Sequence, residues 1–150
     1  MSSSGELFKK AIISYIKNWN KDIEIREELP VGYRFVDSVR MVDIVLYYEK
    51  KFLGIECKYQ SVEGTAYQKL SYALEDCITA PIPMILVFAG ETIKLDMQSK
   101  LIMSGRGIKV NTEEIYDQNN KLIEIKITEG KKILLQRISI ELGINWLDLF

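Results

Sequence analysis

The 150-residue chain contains no histidine, and this absence excludes several kinds of catalytic site. Neither a Ser-His-Asp nor a Cys-His arrangement can form, and no imidazole is available as a general base. The two cysteines, Cys57 and Cys77, are too few for a zinc site built from cysteine alone. Acid–base or metal chemistry in this chain would therefore use carboxylates, lysines, tyrosines or amides. Carboxylate oxygens favour hard cations such as Mg²⁺ or Mn²⁺.

Long apolar runs are also lacking. The longest one, residues 82–90, is far too short to span a bilayer, and the polar start MSSSGELFKK has no signal-peptide core. We therefore expect a cytoplasmic protein with reduced cysteines and no membrane association. With 20 Lys+Arg against 21 Asp+Glu the formal charge is -1, which neither favours nor excludes a nucleic-acid partner.

Hydrophobic periodicity predicts a mixed α/β fold in a single domain over residues 1–150. The first helix follows the capping-box pattern Ser3-x-x-Glu6 and buries a stripe from Leu7 to Trp19. Further helices are predicted from about 65 to 77, over 92–104 and over 132–142. Strands are predicted over 23–27, 40–48, 52–59, 82–89, 108–111 and 122–128, and residues 30–37 are predicted to form a loop.

The strands at 40–48 and 52–59 predict a hairpin that gathers three ionisable side chains. If Glu49-Lys50 is the turn, Tyr48 faces Lys51, and the same register places Asp43 opposite Glu56. Directly opposed residues lie about 5 Å apart at Cβ. Lys58 is two residues after Glu56 and so shares its face. A register shift of one residue would remove this cluster.

Asp43, Glu56 and Lys58 have two interpretations. A salt-bridge cluster on the wet face of a hairpin would have little significance. However, apolar residues flank both carboxylates, as in VDIVL and IEC, which is unusual for solvated surface. Two close carboxylates repel each other, and a divalent cation is the simplest group that neutralises their charge. With an adjacent ammonium, such a site can hydrolyse phosphodiesters.

The pattern D43-x12-E56-C-K58 resembles the signature of the PD-(D/E)XK, or restriction-endonuclease-like, nuclease superfamily. Val42 stands where the family motif has a proline. The resemblance implies a restriction-endonuclease-like core in αβββαβ order, with a central mixed β-sheet flanked by helices. We assign this core to about residues 4–112 and treat about 113–150 as a C-terminal extension.

The resemblance implies a divalent-metal-dependent DNA endonuclease of restriction, homing or repair type. Asp43 and Glu56 would bind Mg²⁺, with Mn²⁺ able to substitute, and Lys58 would be the catalytic lysine. Glu6 matches an acidic position on the first helix of many members, although it also fits the capping box. Gln68-x3-Tyr72 resembles an element of the RecB-like branches, although Gln68 could instead pair with Thr65 as a helix cap.

DNA binding requires groups that contact phosphate, and Arg40, Gln60 and Lys69 are the first candidates near the motif. Lys9, Lys10, Arg34 and Arg106 are further basic candidates. Cutting both strands needs two sites, so we expect a homodimer or a higher homo-oligomer. The alternatives are a non-catalytic DNA-binding or assembly subunit with a nuclease-like fold, and a nuclease specific for junctions or single strands.

Overall fold

A computed structural model describes residues 3–35, 38–60, 66–90 and 92–150 and has the predicted mixed α/β architecture. Its helices are α1 (Ser4–Trp19), α2 (Ala66–Thr79), α3 (Leu95–Met103) and α4 (Lys131–Leu142), followed by a 3-10 turn at Leu147–Leu149. Its strands are β1 (Glu24–Phe35), β2 (Ser38–Tyr48), β3 (Lys51–Tyr59), β4 (Met84–Ala89), β5 (Gly107–Lys109), β6 (Asn111–Tyr116) and β7 (Leu122–Glu129).

The central sheet has five strands in the order β1-β2-β3-β4-β5. The pairs β1–β2 and β2–β3 are antiparallel, whereas β4 runs parallel to both β3 and β5. Strands β6 and β7 form a separate antiparallel pair. The sheet is therefore mixed, and β3 is the strand at which the direction of pairing changes.

Two apolar clusters cover the two faces of the sheet. One packs α1, α4 and β7 against the sheet and is centred on residues such as Phe8, Ile55 and Leu134. The other packs α2 and α3 against the opposite face and includes Leu74 and Phe88. The segment predicted as a C-terminal extension contributes Ile125 to the first cluster, so it packs on the same core as α1.

Helix α1 begins as the capping pattern predicts. Ser3 is its N-cap, and the Ser3 Oγ accepts the Glu6 backbone N–H at 3.2 Å. The buried positions include Phe8, Ile12 and Ile16, which recur with helical spacing. This apolar stripe packs α1 against the sheet, and the packing determines where the polar first turn of the helix lies.

Three sequence expectations need correction. Residues 30–35 continue β1 instead of beginning a loop, because β1 is an edge strand that tolerates Pro30 and takes a register shift beside Gly32. The sequence does not predict strand β6, because NTEEIY is mostly polar. This segment forms a strand through its backbone hydrogen bonds to β7. Helix α3 begins at Leu95, not at residue 92.

Thr65, the predicted N-cap of α2, lies outside the described residues. Within the described ranges, none of the helices combines the length and apolar character needed to cross a membrane.

Candidate functional site

The hairpin of β2 and β3 has the register predicted from the sequence. Tyr48 pairs with Lys51, and the ladder continues to Ile44 opposite Ile55. The next positions along the two strands are Asp43 and Glu56. The turn residue Glu49 has φ 45°, a left-handed conformation that a tight hairpin turn requires.

The carboxylates of Asp43 and Glu56 form hydrogen bonds across the two strands. The Cys57 N–H donates to Asp43 Oδ2 at 2.9 Å, and the Asp43 N–H donates to Glu56 Oε1 at 3.2 Å. Each carboxylate thus accepts a backbone N–H of the neighbouring strand through one oxygen. The pair is held close by the backbone, and its other oxygens, Asp43 Oδ1 and Glu56 Oε2, take no part in these two bonds.

Burial makes both carboxylates harder to ionise, and the charge of a neighbouring carboxylate adds to this effect in each case. The Glu56 side chain is buried, with 6% relative exposure, and desolvation followed by the charge of Asp43 raises its pKa to about 7. Desolvation also raises the pKa of Asp43, and the charge of Glu28 adds to this effect. Near neutral pH, this pair therefore favours either a bound proton or a bound cation.

Lys58 contributes positive charge to the same place. It follows Glu56 by two residues in β3 and pairs with Phe88 of the parallel strand β4. Its charge lowers the pKa of both Asp43 and Glu56. A half-buried ammonium therefore lies close enough to act on both carboxylates.

A second cluster of charged side chains surrounds Lys9 of α1, and the sequence did not predict it. Lys9 is 4% exposed, and its Nζ lies 2.6 Å from Glu28 Oε1, 3.4 Å from Glu27 Oε1 and 3.8 Å from Glu6 Oε1. Glu28 has φ 53° and sits between the pairs that place Glu27 opposite Ile44 and Leu29 opposite Val42, so it faces Asp43 across β1 and β2.

The cluster around Lys9 also shows where Glu6 lies and which role Lys9 has. Glu6 lies on the first turn of α1 and meets Lys9 across one helical turn. Lys9 was a candidate for phosphate contact, but its burial among three glutamates favours an internal role. No sequence signal marked Glu28, because its place opposite Asp43 depends on the register of β1.

Gln68, Lys69 and Tyr72 lie on the exposed side of α2. The Gln68 Nε2 donates to the Tyr72 hydroxyl at 2.9 Å, one helical turn away. The helix buries the opposite side, with Leu70 and Leu74 among the contacts to the sheet. Within the described ranges, the structure gives no hydrogen bond or ion pair between Gln68 and the two carboxylates.

Arg40 is buried, with 3% exposure, beneath α2. Its Nη1 donates to the Val31 carbonyl, and its Nη2 donates to Thr79 Oγ1, each at 3.3 Å, while Asp76 Oδ1 lies 3.8 Å from Nη2. These contacts favour a structural role at the junction of β1, β2 and α2 over the phosphate contact expected from the sequence.

Gln60 follows β3 and borders a polar cleft of about 980 Å³. Its backbone N–H donates to Ala89, and its carbonyl accepts the Thr92 hydroxyl at 3.2 Å. On the same cleft, the Tyr59 hydroxyl donates to Glu114 Oε1 at 2.5 Å, and burial together with this bond raises the pKa of Tyr59 to about 12. The cleft extends from the end of β3 towards β6.

The donor set at the carboxylate pair is small. In the part of the chain that the structure describes, no three side chains of histidine, cysteine, aspartate or glutamate gather closely enough to hold a metal ion. Asp43 and Glu56 together supply two carboxylates. Mg²⁺ commonly uses one or two protein carboxylates and keeps several waters, so a pair of this kind fits Mg²⁺ better than a cation that needs a full protein cage.

Comparison with protein families gives a match over most of the chain. A family model described as a PD-(D/E)XK nuclease superfamily domain matches residues 5–126, a range that includes Asp43, Glu56 and Lys58. The search of curated protein sequences returned no match.

Several solved structures resemble the fold at low sequence identity. An XisH family protein from Nostoc punctiforme PCC 73102 has 14% identity and a TM-score of 0.48, with 80% of this chain and 98% of that chain covered. A fdxN element excision controlling factor protein from Anabaena variabilis has 14% identity and a TM-score of 0.46, with coverage of 79% and 97%. SfsA from Pyrococcus furiosus, in complex with Ca²⁺, has 12% identity and a TM-score of 0.43, with coverage of 77% and 58%.

Proposed function

Because the chain belongs to the PD-(D/E)XK nuclease superfamily, we propose that it is a divalent-metal-dependent DNA endonuclease that acts through Asp43, Glu56 and Lys58. One observation carries the proposal: the two carboxylates exchange hydrogen bonds with the neighbouring strand's backbone and lie beside the Lys58 ammonium. A structural salt-bridge cluster would not require a buried Glu56 carboxylate beside a half-buried Asp43 carboxylate whose charge repels it.

In this proposal, Asp43 and Glu56 hold the metal ion, and Mg²⁺ is the expected ion with Mn²⁺ able to replace it. The raised pKa of Glu56 supports this assignment. A divalent cation would take the place of the proton that the carboxylate pair otherwise favours near neutral pH. When bound, the ion lowers the pKa of a water and offsets the negative charge of the phosphate.

The protein side chains supply the rest of the chemistry. The Lys58 ammonium stabilises the negative charge that develops on the phosphate oxygens, and it orients the attacking water. The backbone N–H groups of Asp43 and Cys57 hold the two carboxylates in place, so that little reorganisation is needed when substrate binds. Glu6 remains a candidate at the edge of the site through its contact with Lys9. Gln68 remains a prediction without a supporting contact.

The proposed substrate is DNA, and the proposed assembly for cutting both strands is a homodimer. A single site hydrolyses one strand at a time, and a two-fold axis would place a second site on the opposite strand. Sedimentation of the protein with and without duplex DNA measures this directly.

The test is cleavage of supercoiled plasmid, linear duplex, single-stranded and branched DNA in Mg²⁺, in Mn²⁺ and in EDTA. We expect cutting by the wild type in both metals and none in EDTA. Asp43→Asn, Glu56→Gln and Lys58→Met each should lower the rate by at least about a hundredfold, because each removes a group that holds the ion or stabilises charge. Glu124→Gln, on an exposed residue of β7, is the matched control and should cut like the wild type.

Two outcomes would contradict the proposal. Metal-dependent cleavage that survives all three substitutions would place the chemistry elsewhere. Salt-dependent DNA binding without cleavage in either metal would favour the non-catalytic binding subunit. Preference for branched or single-stranded substrates would instead identify the structure-specific form of the nuclease.

A further inference from the structure

A cavity of about 530 Å³ lies where the ends of several elements meet. Cys77 near the end of α2 lines one side, Arg106 just before β5 lines another, and Arg137 and Glu141 of α4 line the third. Residues 80–83 supply a wall with two prolines, whose fixed φ makes it rigid. None of the three residues of the proposed catalytic site lines this cavity, so it is a separate feature of the molecule.

The backbone holds Arg106 in a fixed place beside the cavity. Its N–H donates to Ser104 Oγ at 3.1 Å, and its carbonyl accepts the Leu86 N–H at 2.8 Å. The Ser104 hydroxyl donates in turn to the Leu101 carbonyl at 2.6 Å, which ties the turn to the end of α3. Arg106 is therefore positioned by hydrogen bonds to both α3 and β4.

The Arg106 guanidinium itself has no partner in the described part of the chain. The residue is half-buried, yet the structure gives its side chain neither a hydrogen bond nor an ion pair among the described residues. A charged group withdrawn from water is normally paired, because leaving it without a partner costs free energy. A ligand with negatively charged oxygens in the cavity would supply the missing acceptors.

Arg137 brings a second guanidinium to the same cavity. Its Nε lies 3.1 Å from Glu141 Oε1, one helical turn away, and the two side chains are 28% and 19% exposed. This contact uses the Nε edge and leaves the two Nη groups to donate to a further acceptor. Two arginines and one glutamate give the described lining of the cavity one net positive charge.

The two guanidiniums also select the kind of anion. Each is a planar fork that binds a carboxylate or a phosphate through parallel N–H bonds. A phosphate presents its oxygens in several directions, so forks from different elements can bind it together, whereas the oxygens of a carboxylate lie in one plane. A cavity of this volume also has room for a nucleoside attached to the phosphate.

We propose that Arg106 and Arg137 bind a phosphate group in this cavity, at a site separate from the carboxylate pair. The phosphate belongs to a nucleic-acid backbone or to a free mononucleotide, which share the chemistry that the guanidiniums recognise. Glu141 limits the affinity, because its carboxylate occupies Arg137 Nε and repels the anion. The inference goes beyond the proposed nuclease function and does not depend on it.

Binding in EDTA tests this proposal with two probes, a fluorescein-labelled DNA duplex and deoxyadenosine 5′-monophosphate. Arg106→Gln and Arg137→Gln should each weaken binding of the probe that occupies the cavity by about tenfold, since each removes charge-assisted hydrogen bonds. For the duplex, the slope of log K against log salt should also fall by about 1. Arg26→Gln is the control for lost charge, because Arg26 is 64% exposed on β1 and does not line the cavity.

Two further variants separate phosphate binding from folding. Glu141→Gln should bind the same probe severalfold more tightly than the wild type, because it releases Arg137 Nε and removes a negative charge. Glu124→Gln, on the exposed face of β7, makes the same change of charge away from the cavity and should bind like the wild type. Arg106→Lys keeps the charge but loses the fork, so binding should weaken while the salt slope stays unchanged. These variants decide the matter if thermal melting shows that Arg106→Gln does not fold.

Each outcome supports or overturns the proposal. Weaker binding of the duplex alone would identify a backbone phosphate as the ligand, and weaker binding of the mononucleotide alone would identify a phosphate monoester. Wild-type affinity for both probes in Arg106→Gln and Arg137→Gln would overturn the site, and so would a wild-type protein that binds neither probe. Because the carboxylate pair holds no metal in EDTA, absence of cleavage in Mg²⁺ would contradict the nuclease function alone.

Discussion

Glu56 is buried beside a second carboxylate, and this makes its ionisation unfavourable in the folded protein. Desolvation is the larger cause, and the charge of Asp43 follows. The hydrogen bond from the Asp43 N–H and the charges of Lys58 and Arg34 oppose these effects without cancelling them. The resulting pKa of about 7, against 4.5 for an ordinary glutamate, links the stability of the fold to pH.

We predict that Glu56→Gln is stabilising at alkaline pH in EDTA. Since the folded-state pKa is raised, the contribution of Glu56 is fully favourable below about pH 4.5 and is lost as the pH rises through about 7. The stability of Glu56→Gln relative to the wild type should therefore rise by roughly 2 kcal/mol between about pH 5 and pH 8. Urea unfolding at a series of pH values measures this difference.

Glu24→Gln is the control for this experiment, because Glu24 lies on exposed β1 surface beside Arg26. Its stability relative to the wild type should change little over the same range of pH. If Glu56→Gln followed the same flat course, the carboxylate pair would not be desolvated as described.

At the scale of elements, the site depends on how strands β3 and β4 end together. The Gln60 N–H donates to the Ala89 carbonyl at 2.9 Å, which continues the parallel ladder beyond Tyr59. Gly90 then turns away with φ 127°, and a Cβ built there would lie 1.9 Å from the Gln60 carbonyl oxygen. A side chain at position 90 would therefore push apart the strand ends that follow Lys58.

Gly90→Ala and Gly105→Ala form a matched pair. Both glycines have positive φ. Around Gly105, at φ 78°, no atom of the described residues other than its chain neighbours lies within 4 Å of a built Cβ. Gly105→Ala should cost about 1 kcal/mol from backbone conformation alone, whereas Gly90→Ala should cost roughly 3 kcal/mol or more because it also clashes with backbone. Thermal or urea unfolding measures both, and equal losses would contradict the close approach of Gln60 and Gly90.

At the scale of the whole molecule, the two faces of the sheet have different roles in the site. Helix α1 brings Lys9 and Glu6 towards β1, whereas α2 brings Asp76 to Arg34. The carboxylate pair lies between these groups on the central strands. Asp43 lies on β2 and Glu56 on β3, so a ligand that bound both carboxylates would link these two neighbouring strands.

We predict that Mn²⁺ or Mg²⁺ raises the melting temperature. A metal at about a hundred times its Kd stabilises the folded state by about 2.7 kcal/mol, which corresponds to a shift on the order of 5 to 10 °C for a domain of this size. The shift should be larger at about pH 8 than at about pH 5, since the metal competes with protons for the carboxylates. Differential scanning calorimetry measures it.

Asp43→Asn should show little or no metal-induced shift, while Glu124→Gln should behave like the wild type. A metal-induced shift of equal size in Asp43→Asn would place the cation elsewhere on the molecule. Because binding is measured without DNA, this test is independent of cleavage.

The sequence by itself determined the mixed α/β class, the register of the β2–β3 hairpin and the alignment of Asp43 with Glu56. These follow from local causes: the apolar stripe of α1, the alternation and length of the strands, and a two-residue turn at Glu49-Lys50. Neighbouring strands joined by a short turn leave few alternatives for pairing, so their cross-strand contacts can be derived without a structure.

The tertiary structure alone decided what surrounds that pair. Glu28 faces Asp43, Lys9 is buried among glutamates, and Arg34 meets Asp76 only because β1, α1 and α2 pack around the central strands. Arg40, a candidate for DNA contact by its position near the motif, is buried by the same packing. Such contacts join residues distant in the chain, and their geometry depends on the free energy of packing the whole core, which no local pattern contains.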